Sequence, residues 1–340
     1  MLFEKAIAFT DLHLGHKANS TEHNQDCVDF ISWMVNEAKQ QNIKTCMFLG
    51  DWHHNRQTVN VETLNYSYEC MKLLNDNFDE VYFIVGNHDL YFRDNRNISS
   101  LVYAKDLTNI IYINEKKVFG DVAFYPWLVG DEWKELKSNQ YKYVFGHFEL
   151  PDFYLNSMVK MPDSGELNGE HLMDNGKVFT GHFHKRQTRA NVTYIGNAFP
   201  HDFNDVWDDD RGVMILEWDK DPEYKNWPDA PKYRRYSYDA IKDTHAKSFK
   251  NISKLHLKID YQENEVTYAE ISAFRDMLNA EYDIRSIKLL SNLDSGDNEG
   301  MEVEEAATCD SVDTIVVEQI SSIDSGEYDP NYLIQIYNEL

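Results

Sequence analysis

Five short motifs rich in Asp, His and Asn each follow directly on a run of strand-forming residues, and their order constrains the fold more than any other feature. Ile7-Ala8-Phe9 leads into Asp11-Leu12-His13, and Cys46-Met47-Phe48-Leu49 leads into Gly50-Asp51. Val81-Tyr82-Phe83-Ile84-Val85 leads into Gly86-Asn87-His88-Asp89. Residues 143–145 precede Gly146-His147, and residues 178–180 precede Gly181-His182-Phe183-His184. The carboxyl ends of strands are where open α/β sheets place their sites. Between the first two runs, Cys27, Phe30, Ile31, Met34, Val35 and Ala38 recur at helical spacing. Val61, Leu64, Tyr68 and Met71 do the same between the second and third. A strand-helix-strand-helix-strand order implies crossover units and a largely parallel sheet. Further strands are expected at 110–113, 122–125, 192–195 and 213–218, too closely spaced for a helix between every pair. The second half is therefore expected to be mixed or antiparallel, giving an α/β fold of two sheets packed as a sandwich with helices outside.

Asp, His and Asn side chains together suit a borderline divalent metal such as manganese, iron or zinc. In Asp11-x-His13 and His182-x-His184, strand-like alternation would point both side chains the same way. Seven ligand-type side chains are too many for one octahedral ion that keeps a water. With one carboxylate bridging, they suit two ions. There is no Walker A sequence and no nucleophilic Ser or Cys motif. The isolated histidines His16, His23, His171, His201, His245 and His256 read as surface residues or ordinary hydrogen-bonding groups.

Charge narrows the partners. The chain of 340 residues carries 33 Lys+Arg against 58 Asp+Glu, a net charge of -25. That excess argues against a plain electrostatic binder of DNA or membranes, both polyanions. No run of about 18 apolar residues exists, which excludes a membrane-spanning helix. The N-terminus lacks a secretory pattern, and the four cysteines form no CxxC. Cys27, Cys46 and Cys70 fall on apolar stripes, as expected for reduced, buried thiols in the cytoplasm.

The acid is concentrated at the end: residues 291–340 hold 13 Asp+Glu and no Lys or Arg. Residues 224–258 are basic, with Lys225, Lys232, Arg234, Arg235, Lys242, Lys247, Lys250, Lys254 and Lys258. These groups could contact DNA phosphates or simply solvate the surface. The expected organisation is a catalytic domain at 1–220, a basic linker at 221–250 and a small β-α-β cap at 251–290. An acidic flexible linker at 291–310 and a helical tail at 311–340 follow. Val312, Ile315, Val316 and Ile320 form one apolar stripe of that tail. Asp329-Pro330 opens a second, with Tyr332, Leu333, Ile336 and Tyr337. Both stripes need something to cover them.

The segments FTDLHLG, FLGDWHH, IVGNHD, VFGHFEL and TGHFHKR, with Tyr194-Ile195-Gly196-Asn197, resemble the calcineurin-like metallophosphoesterases over about residues 5–218. Within that superfamily the chain most resembles SbcD-type double-strand-break-repair nucleases, particularly the short versions encoded by tailed phages. The resemblance implies a metallophosphoesterase β-sandwich flanked by helices. It implies that Asp11, His13, Asp51 and His184 hold one metal and that Asp51, Asn87, His147 and His182 hold a second. Manganese is the first-choice ion and magnesium the weaker one. His88 would donate a hydrogen bond or proton to the leaving oxygen, oriented by Asp89, and His54 would contact the phosphate. Lys185, Arg186 and Arg189, directly after the last motif, are placed to hold a backbone phosphate of DNA.

The same resemblance implies a DNA exonuclease and structure-specific endonuclease of an SbcCD-like complex, acting in end processing, recombination and repair. The tail would dock on the coiled-coil base of an SbcC-type ABC ATPase. A homodimer within a heterotetramer is expected, with the stripe of Val61, Leu64, Tyr68 and Met71 serving as interface or as core. The alternatives are a same-fold phosphoesterase acting on small molecules or phosphoproteins, and a noncatalytic adaptor of the ATPase. The protein Ser/Thr phosphatases carry GDxVDRG and GNHE, whereas this chain has GDWHHNR and GNHD.

Overall fold

The structure, a computed structural model, describes residues 1–292 except positions 139, 156–159, 164, 166 and 263. The first part runs β1 (Lys5–Phe9), α1 (Thr21–Gln40), β2 (Thr45–Phe48), α2 (Val61–Asn77), β3 (Glu80–Ile84) and β4 (Ile110–Ile113). Next come β5 (Lys117–Phe119), β6 (Val122–Tyr125), β7 (Tyr143–His147), β8 (Lys177–Gly181), β9 (Gln187–Arg189) and β10 (Val192–Tyr194). β11 (Gly212–Glu217), β12 (Glu223–Asn226), β13 (Lys232–Ser237), β14 (Leu255–Gln262), α3 (Tyr268–Glu281) and β15 (Ile284–Asn292) complete the described chain.

The two long helices begin where side chains can satisfy free amides. Ser20 accepts from the His23 N–H at the start of α1, and Asn60 accepts from the Glu62 N–H at the start of α2. The predicted stripe of α1 is buried along its length, from Cys27 to Ala38.

Two six-stranded sheets form the sandwich. The first has the order β12-β11-β1-β2-β3-β4, with β1 to β4 parallel and β11 antiparallel to β1. The second has the order β5-β6-β7-β8-β10-β9. Its four central strands are parallel, and the hairpin edges β5 and β9 are antiparallel. The second sheet is therefore mixed but more parallel than the spacing suggested. Its β6–β7 and β7–β8 crossovers use the 3₁₀ turns Gly130–Ser138 and Gly169–Leu172, where the β1–β2 and β2–β3 crossovers of the first sheet use α1 and α2.

Alternation along the strands divides the core into layers. Phe48 and Phe83 face the helices, while Met47, Tyr82 and Ile84 face the second sheet. Phe124 and Phe145 meet them from that sheet, and Tyr125 and Val144 pack outward under the 3₁₀ turns. Cys27, Cys46 and Cys70 are buried free thiols. Among the described residues no helix is long and apolar enough to cross a membrane.

The stretch 221–250 is not the free linker expected from its Pro, Lys and Arg content. β12 extends the first sheet beside β11, and β13 opens a parallel three-stranded sheet with β14 and β15. Ile241 and Phe249, on short helical turns, complete the core of that unit with Leu257, Ile259, Ile271 and Leu278. The cap is thus larger than 251–290. The basic side chains that hid these strands are paired: Arg234 with Asp209, Arg235 with Asp260, and Lys225 with Glu37. The cap is also tied to α1, where buried Asp26 bonds Lys254 at 2.7 Å and Arg285 at 2.5 Å.

The α2 stripe divides. Met71 is buried, whereas Val61, Leu64 and Tyr68 are 76%, 44% and 56% exposed. The acidic segment and the tail stripes, including Val312, Ile315, Val316, Ile320, Tyr332, Leu333, Ile336 and Tyr337, lie outside the described residues.

Candidate metal centre

The five motifs converge at the carboxyl ends of β1, β2, β3, β7 and β8. The first two loops are spliced by backbone bonds: Asp11 N–H to Gly50 O at 2.9 Å, Leu12 N–H to Asp51 O at 3.0 Å, and Leu14 N–H to Trp52 O at 2.8 Å. To make these turns, Asp11, His13, Asp51 and His182 adopt left-handed backbone, with φ of 51°, 50°, 61° and 92°. Gly50 and Gly86 permit the close approach of the loops. A Cβ on Gly50 would lie 2.3 Å from His147 Nδ1, and one on Gly86 would lie 2.2 Å from Asp51 Oδ1.

All seven expected ligand side chains meet. Asp11, His13 and His184 form one group of donor atoms lying within 4.8 Å of one another, and Asp51, His147 and His182 form another. His184 Nε2 and His13 Nε2 are 3.2 Å apart. Asn87 Oδ1 is 3.0 Å from His147 Nε2 and 3.1 Å from His182 Nδ1. Asp51 Oδ2 stands between the groups, 3.7 Å from His13 Nε2 and 3.3 Å from His147 Nε2. Donors bonded at about 2.1 Å and at right angles around one ion lie about 3 Å apart. The observed spacings match that requirement, so the donor set fits divalent metal ions.

Burial, with neighbouring His88 and His184, holds His13 well below the ordinary imidazole pKa, which leaves it neutral with a lone pair to share. Burial also opposes protonation of His147, but the adjoining Asp51 carboxylate overrides it and raises His147 to about 9. Asp51 itself is driven far below the usual carboxylate range: burial acts against this, and His147 and His88 outweigh it. Asp51 and His147 would hold a cation in place of the proton they share.

His88 and Asp89 do not relate as expected. His88 donates from Nδ1 to the His54 carbonyl at 2.6 Å, and its N–H bonds Asp51 Oδ1 at 2.8 Å. Asp89 does not orient it. The buried Asp89 carboxylate instead accepts from the N–H groups of Asp51, Trp52, His53 and Gly86, at 2.9–3.1 Å. It turns back into the loops and fixes their register. Of the neighbouring histidines, His53 is buried between Ser67 and Ser100. His54 faces the centre, its ring 5.4 Å from His13 and stacked 5.7 Å from His88.

Several contributors escaped the sequence reading. His16 Nδ1 lies 3.5 Å from His54 Nε2, and its other nitrogen is 3.7 Å from Asp202. The ring of His201 packs 5.3 Å from His184. His23 is hydrogen-bonded to the carbonyl of His13 at 2.9 Å. Their one signal was density: His16 lies three residues after His13, too little to separate it from chance.

The three basic residues after the last motif divide. Arg186 is engaged by Ile195 O and Asn226, with its guanidinium over Tyr224, so it serves the fold. Arg189 is exposed but paired with Asp152. Lys185 lies with its ammonium 5.5 Å from the Tyr154 ring.

Residues 5–229 match the model of the calcineurin-like phosphoesterases. The chain belongs to that family. As a calcineurin-like phosphoesterase it is a metal-dependent phosphoesterase, and the two donor clusters stand where its motifs meet. The chain is also 27% identical over 355 residues to exonuclease subunit 1 of Enterobacteria phage T4, spanning 99% of this chain and 98% of that relative. For this phosphoesterase the similarity extends past the catalytic domain, through the cap and into the acidic C-terminal segment.

Proposed function

We propose that the protein is a two-metal DNA nuclease, the nuclease subunit of an SbcCD-like complex that processes DNA ends in recombination and repair in the cytoplasm. The observation that carries this reading is the full-length similarity to a phage exonuclease subunit, joined to a complete donor set. Asp11, His13, Asp51 and His184 would hold one ion, and Asp51, Asn87, His147 and His182 the other, with manganese preferred to magnesium. When bound, two such ions lower the pKa of a water and offset the charge that builds on the phosphate.

The remaining chemistry falls to this chain. The His54 carbonyl accepts a hydrogen bond from the Nδ1–H of His88, which keeps that proton on Nδ1. That leaves Nε2 to face the scissile phosphate; in the imidazolium form of His88 Nε2 carries a second proton, which passes to the leaving oxygen and returns the ring to the neutral Nδ1–H form. The His54 ring, alongside, holds a phosphate oxygen. Asp89 keeps Gly86 and residues 51–53 in the register that presents both histidines. Exonuclease action on duplex DNA and structure-specific endonuclease action follow from one centre of this kind. With a net charge of -25, affinity for DNA leans on the ions and on a partner. The partner is an SbcC-type ABC ATPase engaged by the apolar stripes of residues 311–340. The exposed Val61, Leu64 and Tyr68 of α2 supply the homodimer contact of a heterotetramer.

The test uses purified protein with Mn2+ on linear duplex DNA, single-stranded DNA, a generic phosphodiester and a phosphoprotein, with His88→Ala as control. Cleavage of duplex DNA that His88→Ala loses is the expected result. Phosphoprotein turnover without DNA cleavage overturns the nuclease reading. Deletion of residues 311–340 should abolish co-purification with the ATPase while leaving metal content unchanged, and retained co-purification removes the tail from the interface.

A further inference from the structure

The imidazole of His182 is gripped from both sides. Its Nδ1 lies 3.1 Å from Asn87 Oδ1, inside the metal centre, and its Nε2 lies 3.3 Å from Glu149 Oε1, behind it. A carboxylate only accepts hydrogen bonds. It therefore places the one proton of a neutral imidazole on Nε2 and leaves the Nδ1 lone pair facing Asn87.

Glu149 is itself held. Arg93 reaches both of its oxygens, at 2.9 and 2.8 Å. The Arg93 guanidinium lies 5.3 Å from the centre of the Trp127 ring, and the Trp127 indole N–H donates to the Arg93 carbonyl at 3.0 Å. Trp127 packs on His182 with ring centres 5.2 Å apart. Arg93, Trp127 and Glu149 enclose the rear of His182, drawn from the loop after His88, the segment after β6 and the segment after β7.

We propose that Glu149 is a positioning residue that fixes the orientation and proton of His182 for metal binding, and that Arg93 and Trp127 hold Glu149 and His182 to that task. The inference rests on the two-ion reading of the centre. A carboxylate behind a metal-bound histidine raises its basicity and sets its tautomer, and its loss typically weakens metal binding by about 10- to 100-fold. Arg93 comes from the same loop as His88, so the arrangement also ties the proton donor's loop to one metal ligand.

Two measurements on the full chain test this. Calorimetric Mn2+ titration should give two binding events in the wild type. Glu149→Ala should weaken one of them about 10- to 100-fold and leave the other within about twofold. Glu149→Gln, which keeps an acceptor for the Nε2 proton, should recover most of the loss, and Arg93→Ala should lie between. Two unchanged events in Glu149→Ala overturn the proposal. A wild type that binds fewer than two ions breaks the two-ion reading instead. Nitrogen-15 NMR of the metal-free protein then decides Glu149 separately. An Nε2-protonated His182 that becomes a tautomer mixture in Glu149→Ala supports the role, and an Nδ1-protonated His182 in the wild type overturns it.

Discussion

In the half of the centre built from Asp51, Asn87, His147 and His182, each imidazole is tied from behind by an acceptor: His147 Nδ1 by Leu49 O at 2.7 Å, and His182 Nε2 by Glu149. In the half built from Asp11, His13 and His184, the Nδ1 of His13 is buried and has no hydrogen-bond partner among the described residues. Support there comes through the chain, from His23 on α1 to the His13 carbonyl and from the left-handed turns at Asp11 and His13. In one half an acceptor behind each imidazole, a backbone carbonyl for His147 and a carboxylate for His182, holds the ring directly; in the other, support reaches the donors through the backbone that carries them. An ion should therefore bind more tightly in the first and exchange faster from the second.

The largest effect should come from removing the group the halves share. Asp51→Ala should lose both ions by metal analysis, and turnover with them; full occupancy would end the view of Asp51 as a bridge. His88→Ala should come next, with turnover down by about 10²- to 10⁴-fold and both ions kept. A lost ion there would mean that His88 belongs to one of the halves.

Asp26→Asn tests the backbone-organised half, because Asp26 anchors α1 to the cap. Burial alone would raise the Asp26 pKa, but the bonds from Arg285 and Lys254 outweigh it and hold it below 3.8. Because the folded value is depressed, this stabilisation is complete above the unfolded value of about 3.8 and is lost as pH falls through the folded one. The substitution should cost about 2 kcal/mol in denaturant unfolding at pH 7, below the range for a fully buried pair because Lys254 and Arg285 keep some solvent contact. A cost that does not shrink on acidification would assign the loss to packing. The smallest effect is expected for His16→Ala, which removes the neighbour of His54. Turnover should fall about three- to tenfold with metal content intact.

Much of the site was legible because ligand chemistry and strand ends coincide along the chain: each motif sits one turn past an apolar run. The strands at 110–113 and 122–125 were legible for the same local reason. β13 was not, because Lys232, Arg234 and Arg235 mask its alternation until Asp209 and Asp260, distant in sequence, neutralise them. The parallel order of the second sheet was hidden because short 3₁₀ turns do the work of crossover helices. Glu149 and His16 could not be assigned from spacing, since their partners lie 33 and 38 residues away. Asp89 was misread because its neighbour in sequence is not its partner in space.

The left-handed turns at Asp11, His13, Asp51 and His182 bear on the history of such a chain. Non-glycine residues held at these angles cost about 1–3 kcal/mol each, and glycine would relieve the cost at every one of them. Substitutions that relax the backbone there would yield a sturdier protein that has lost these four donor side chains. Mutational drift toward stability thus runs toward a copy without these donors, and persistence of the four side chains in a lineage would record continuing selection for them.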